Sequence, residues 1–368
     1  MIVLTKSECV GCVSCANICP VNAISMQLDD EGFLYPVLNK GICINCDECS
    51  NHCPVVSGVA DDFNNSKEPL AVYSGWSLDE NTRLTSSSGG IFTELAKNVL
   101  KQGGYVVAVT YTEEHIAKHI IINSLEELES LKRSKYLQSD IGDVYHKIKC
   151  LLEKSEKVLF VGTPCQCAGL LAFLGSKPDD LILVDFICHG VNSPFVHQRY
   201  ISEVEQELNI KVKEINHRDK HMGWENYVFS VSGTQKYYLG NKRQNPFLRG
   251  FLTDAYLRKT CYDCKFKGAK HPVDLTLGDC WGYKKDKEKG VSVIIVQSKI
   301  GEHLLLEISE KIFKESYSMN LILENNSSLT VSARNKYKLR EVFFEVWEKE
   351  GSLLKVIEKF LGESKGIN

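Results

Sequence analysis

The feature that most constrains this chain is one cysteine pattern written twice: CVGCVSCANICP, with Cys9, Cys12, Cys15 and Cys19, and CINCDECSNHCP, with Cys43, Cys46, Cys49 and Cys53. Each copy reads C-x2-C-x2-C-x3-C-P. Two-residue spacers let a tight loop wrap a cubane and present three thiolates to three irons, but the same loop does not also reach the fourth iron. The last cysteine of each run therefore serves the other cluster. Cys9, Cys12, Cys15 and Cys53 are assigned to one 4Fe-4S cluster, and Cys43, Cys46, Cys49 and Cys19 to a second. Pro20 and Pro54 turn the chain out of each loop and remove a backbone donor. C-x2-C pairs also build zinc sites, but zinc leaves the repeated third cysteine and the x3-C-P step unexplained. A unit this small has little hydrophobic core of its own, so bound clusters supply much of its folding energy. Residues 1–58 are expected to form an α+β ferredoxin-like domain for electron transfer.

The chain has 368 residues, enough for two or three domains, and fifteen cysteines. An odd cysteine count in a large chain with no basic, apolar leader before Cys9 points to thiolate ligands in a reducing, cytoplasmic setting rather than to disulfides. No apolar run of about 18 residues or more occurs, so membrane insertion is not expected. A net charge of −3 with acids and bases interspersed offers no basic stripe for nucleic acid.

Residues 59–69 are polar and aperiodic and read as a linker ending at Pro69. Residues 70–368 then read as α/β with a mixed α+β end. AVYSGW (71–76) and GYVVAVTY (104–111) have strand character, and Ile91, Phe92, Leu95, Val99 and Leu100 recur at helical spacing between them. Ile141, Val144, Tyr145, Ile148, Leu151 and Leu152 mark another amphipathic helix. KVLFVG (157–162) and DLILVDFI (180–187) are continuous apolar runs of the kind buried on both faces of a parallel sheet. Shorter strands follow residue 211, and charged helical segments occupy 336–362.

Both apolar runs end in cysteine-bearing loops, with Cys165 and Cys188, and ligands in open α/β sheets gather at the carboxyl ends of the strands. CYDCKFKG adds Cys261 and Cys264. Together they make the four thiolates of a further cubane if distant loops converge. On spacing alone, Cys165 and Cys188 read equally well as buried thiols, and Cys261 with Cys264 as half a zinc site. Cys150 and Cys167 read as core thiols, and Cys280 as a substitute ligand of lower rank. In TSSSGGIFTEL, Ser87, Ser88, Gly89 and Gly90 precede a helix, where free amides favour a phosphate; a plain serine-capped helix start explains them too.

The strings SSSGGIFTEL, SKYLQS, GTPCQCAGL, ICHGVNSP, NHRDKHMGW, CYDCK and LTLGDCWG, in that order, resemble the coenzyme F420 hydrogenase/dehydrogenase beta-subunit family over residues 70 to about 300. The resemblance implies a flavin-binding catalytic domain that holds FAD beside a 4Fe-4S cluster and exchanges electrons with a hydride-accepting substrate, often the deazaflavin coenzyme F420. It implies Cys165, Cys188, Cys261 and Cys264 as ligands of a third cluster. It also implies FAD contacts from Ser87, Ser88, Gly89, Gly90, Lys135, Tyr136, Gln138, Thr163, Pro164 and Gln166. Arg218, Lys220, His221 and Trp224 become candidates for holding an acidic, planar ring beside the flavin, although by residue type they also suit a solvated surface loop. The chain departs from the family pattern at Cys280, where an aromatic usually follows Gly-Asp.

The resulting expectation is an iron-sulfur flavoenzyme that takes electrons singly from ferredoxin or another redox protein and pairs them on FAD for a small organic acceptor, or runs in reverse. The alternatives are a non-catalytic relay subunit, which would carry no flavin, and a colourless zinc scaffold.

Overall fold

The computed structural model describes residues 4–63, 68–334 and 339–362. The two cysteine runs form short helical turns, Ser14–Ile18 and Glu48–Asn51, joined through an antiparallel hairpin of β1 (Ile24–Leu28) and β2 (Leu34–Leu38). Within the expected linker, Val59–Phe63 form a 3-10 turn rather than a free tether, while residues 64–67 lie outside the described residues. The reason is Phe63, fully buried edge-on to Phe266 at 5.3 Å and beside His271 at 4.9 Å.

The remainder is built on an eight-stranded mixed sheet. Its strands are β3 (Ala71–Ser77), β4 (Tyr105–Tyr111), β5 (Ala117–Ile122), β6 (Val158–Val161) and β7 (Leu181–Phe186), followed, after a smaller sheet, by three more. The smaller sheet is antiparallel, with β9 (Val228–Ser232) between β8 (Glu214–Asp219) and β10 (Lys236–Asn241). The three late strands of the large sheet are β11 (Leu275–Asp279), β12 (Ser292–Val296) and β13 (Ile312–Ser316), giving the order β13-β3-β12-β11-β7-β6-β4-β5. The centre, β11-β7-β6-β4, is parallel and both flanks are antiparallel.

The apolar runs sit where their composition requires. Val158, Phe160, Leu181, Leu183 and Val184 are completely buried in β6 and β7, each side chain contributing about 1.5–3 kcal/mol. The helix Pro164–Leu174 between them carries complete start and stop signals. Thr163 and Gln166 form a capping box, Pro164 occupies the first turn, and Gly175 closes the helix with φ 74°. One end of the sheet is covered by an aromatic core in which Tyr200, Phe229, Phe247, Tyr256, Phe343 and Trp347 join the smaller sheet to helices Pro194–Leu208, Pro246–Leu252 and Leu339–Glu350. Residues 336–338 of the expected helical terminus lie outside the described residues.

Candidate functional site

The two cysteine loops repeat in backbone conformation as well as in sequence. Gly11 and Val13 flank Cys12 with φ of 68° and 67°, and Asn45 and Asp47 flank Cys46 with φ of 55° and 60°. Left-handed residues at alternate positions form the concave backbone that cradles anions and iron-sulfur groups, and a β-branched residue such as Val13 adopts that region only under constraint. Cys19, Cys43, Cys46 and Cys49 line one cavity of about 350 Å³, with Cys46 exposed. Cys9, Cys12 and Cys53 are buried. Burial, reinforced by the sulfurs of Cys9, Cys53 and Cys49, pushes the Cys15 thiol up to about 12. Thiols crowded this way resist ionisation unless an iron core binds them as thiolates, so the donor set fits a metal cluster.

Four further cysteines stand together near the carboxyl ends of β6 and β7. Cys165 lies in the first turn of Pro164–Leu174, Cys188 follows β7, and Cys261 and Cys264 belong to the 3-10 turn Lys259–Asp263 and its cap. All four line a cavity of about 530 Å³ together with Arg258, Lys267 and His271. Burial pushes Cys165, Cys188 and Cys261 each up to about 12, with Cys264 adding to it in every case. Among the described residues no three His, Cys, Asp or Glu side chains converge tightly enough to hold a single metal ion; the cysteines stand around cavities instead. Lys267 donates to the carbonyls of Cys188 and Ser328, the latter at 2.6 Å, and sets a cation beside the quartet. His271 Nδ1 meets Asp185 at 2.7 Å with both side chains buried.

The first and third quartets are packed against each other. A Cβ on Gly169, in the Cys165 helix, would stand 2.6 Å from Cys12 Cβ, and Cys12, Cys165 and Cys264 share one apolar cluster with Phe63 and Phe266.

Four of the residues tied by resemblance to FAD have their partners at or beside this junction. Gln138 donates to Val10 O at 3.2 Å and accepts from Arg258 at 2.8 Å. Thr163 and Gln166 cap the Cys165 helix, with Gln166 Nε2 also donating to Ser139 Oγ at 2.9 Å, and Pro164 lines the third cavity. The loop before Ile91–Lys101 also keeps its own partners. Ser88 Oγ donates to Val291 O and the Gly89 amide to Ser292 Oγ, both at 2.9 Å, while Ser87 Oγ accepts from the Ser134 amide at 2.8 Å. Gly89 is required there because a Cβ would lie 2.5 Å from Gly75 O. Gly90, with φ 88°, starts the helix in the left-handed region. Lys135 Nζ donates to the carbonyls of Ser130 and Lys132, at 3.1 and 2.6 Å, and burial draws it down to about 7.

The candidate substrate residues separate into different roles. The three protons of the Lys220 ammonium are used on the carbonyls of Arg83, Ser88 and Lys289, at 2.7, 2.6 and 2.6 Å, so Lys220 is a tie between loops and has none left for an anion. His221 is exposed and stacks on Tyr238 at 4.2 Å, apart from the others. Trp224 is buried, donates to Asp279 at 3.3 Å and stacks on Trp281 at 4.5 Å. Arg218 pairs with Asp279 through Nη1 and lies over Tyr227 at 4.5 Å and Trp281 at 5.3 Å. Its Nε and Nη2 are buried and have no hydrogen-bond partner among the described residues. Asp279, Tyr227 and Trp281 escaped the sequence reading; the LGDCWG string contained two of them, but nothing local linked them to Arg218.

Two cysteine assignments change. Cys150 is exposed, because Val144, Tyr145 and Ile148 define the buried face of its helix and residue 150 points away from it. Cys167 is buried as expected. Cys280 packs with Trp224, Tyr283 and Val291 and does not line the third cavity.

Residues 155–319 match the family model for the C terminus of the coenzyme F420 hydrogenase/dehydrogenase beta subunit, and residues 72–145 match the model for the N-terminal part of the same protein. Residues 8–57 match a 4Fe-4S dicluster domain. Among solved structures, the chain is similar to one from the F420-reducing NiFe hydrogenase complex of Methanosarcina barkeri, a xenon derivative. That likeness has 15% identity and a TM-score of 0.47, and covers 73% of this chain and 97% of that one. Among curated proteins, none matches. No helix among the described residues is long and apolar enough to cross a membrane.

Proposed function

Because this chain belongs to the coenzyme F420 hydrogenase/dehydrogenase beta-subunit family and carries a 4Fe-4S dicluster domain, we propose that it is an oxidoreductase in which single electrons pass along three cysteine quartets to a two-electron site holding FAD. The observation that carries this reading is the contact between the first and third quartets. Cys46 of the outer quartet is exposed, Cys9, Cys12 and Cys53 of the next are buried, and Cys165 and Cys264 of the third pack in one apolar cluster with Cys12. Ile44 on the rim of the outer cavity is 60% exposed, an apolar landing for ferredoxin or another redox protein.

Bound clusters move electrons one at a time, and bound FAD exchanges them in pairs with a hydride carrier. The chain's residues hold and tune these groups. Cys165, Cys188, Cys261 and Cys264 would ligate the third cluster, with Lys267 countering its negative charge. Arg218 would face the electron-rich edge of a planar ring with its two unpartnered donors, between Tyr136, Tyr227 and Trp281. Lys242, 5.6 Å from the Tyr227 ring and 5.8 Å from that of Trp281, adds a second cation to the same aromatic group. That chemistry suits an anionic ring acceptor such as coenzyme F420. Ser87, Ser88, Gly89, Gly90 and Lys135 would contact the flavin, as the family resemblance implies.

Anaerobic purification with iron, sulfide and flavin analysis tests the reading. About twelve irons and one flavin per chain are expected. Iron near eight removes the third cluster, and absence of flavin leaves an electron-relay subunit.

A further inference from the structure

Arg258 lies just before the turn that carries Cys261, and its side chain is fully buried. It crosses from the third quartet's cavity to the loop of the first. Nε donates to Cys9 O at 2.9 Å, Nη1 to Gln138 Oε1 at 2.8 Å, and Nη2 to Leu34 O at 3.1 Å and Cys9 Sγ at 3.7 Å. The guanidinium lies over the Tyr35 ring at 4.1 Å. Gly11 yields the space, since a Cβ there would approach Arg258 Cζ to 2.9 Å at a φ of 68°.

Among the described residues no carboxylate forms an ion pair with this cation. A buried, uncompensated charge costs several kcal/mol, so the compensating negative charge has to come from what the adjacent cysteines bind. Arg258 is absent from the lining of the outer cavity, where Cys19, Cys43, Cys46 and Cys49 stand.

We propose that Arg258 is the positioning residue of the electron path, a fixed cation shared by the first and third clusters that holds both reduction potentials up together and so keeps transfer between them close to level. This rests on the third-cluster assignment above. Reduction adds one negative charge to a cluster, and a buried cation beside it stabilises that added charge; the N–H to sulfur bond at Cys9 acts in the same direction. When an electron leaves one of the two clusters and arrives at the other, the same guanidinium faces the charge in both positions.

The test is an anaerobic redox titration of the full chain followed by electron paramagnetic resonance, with iron content measured on each sample. In Arg258→Met the midpoints of the first and third clusters should move to more negative potential while that of the outer cluster stays. Arg258→Lys should keep both near the native values. Gln138→Glu, which sets a carboxylate against Nη1 and neutralises the cation in place, should reproduce the Arg258→Met shift without removing the side chain. Loaded Arg258→Met protein with unmoved midpoints overturns the proposal. Should Arg258→Met fail to load, loaded Gln138→Glu protein with unmoved midpoints overturns it equally. An equal shift of all three clusters, or loss of clusters from Arg258→Lys as well as from the other two variants, also overturns it, since charge would then not be the property that matters. Iron near eight in the native protein rejects the third cluster and with it a shared cation, an outcome distinct from unmoved midpoints in protein that carries about twelve irons.

Discussion

Arg340, in the helix Leu339–Glu350, grips Glu31 in the β1–β2 turn with both terminal nitrogens, Nη1 reaching Oε1 at 3.0 Å, while its Nε donates to Leu257 O at 2.8 Å. Residues 309 apart in sequence thus clamp the cysteine-rich segment onto the body. Arg340→Met should lower the unfolding free energy by about 1–3 kcal/mol, because the Glu31 carboxylate keeps only the longer contact to Lys259 at 3.4 Å and Leu257 O loses its donor. A double-mutant cycle with Glu31→Gln measures the pair directly, and a coupling below about 0.5 kcal/mol would show the clamp to be idle.

Gly169→Ala forces a methyl group against Cys12 and should destabilise the protein by about 1–3 kcal/mol through overpacking. The first cluster should be lost preferentially, since Cys12 is the residue displaced. Cys12→Ser should remove that cluster and block reduction through the N-terminal segment while flavin stays bound. Full ferredoxin-linked turnover in Cys12→Ser would mean that electrons do not travel this way.

Arg218 and Lys220 make opposite predictions although they are two residues apart. Arg218→Ala should weaken an anionic ring ligand by about tenfold or more, the loss of a charge-assisted hydrogen bond. Lys220→Met leaves three carbonyls unpaired and should cost stability, with ligand affinity nearly unchanged. Equilibrium titration with flavin or a deazaflavin separates them; equal loss of affinity in both would return Lys220 to the ligand.

Burial draws the His119 imidazole down from 6.5 to about 4, against the opposing hydrogen bond to Val161 O. From pH 6.5 down to about 4 the unfolded chain binds a proton that the native state does not, so stability falls as pH drops through that window. The slope is about 1.4 kcal/mol per pH unit for such a group. Urea midpoints at about pH 7.5 and about pH 5.5 should differ in that sense, and less so in His119→Asn. Equal pH dependence in the two proteins would assign the effect elsewhere.

Much of the architecture was legible because it is local. Cysteine spacing and the apolar runs of β6 and β7 are properties of a few neighbouring residues, and short-range geometry carries them into the fold without help. That Cys165 and Cys188 lie near each other could be anticipated because strand ends in a parallel sheet share one edge, whereas the arrival of Cys261 and Cys264 beside them had to be assumed.

What the sequence by itself determined is which side chains exist to bind metal and which segments become strands and helices. The tertiary structure alone decided how each polar group is used. Lys220 is consumed by three carbonyls, Gln138 and Arg258 join two quartets, and Arg218 pairs with Asp279. The physical reason is that a buried donor must find an acceptor wherever packing provides one. For these residues the acceptors come from segments far away in the chain, such as Ser88 O for Lys220 and Cys9 O for Arg258, whose proximity no local pattern encodes.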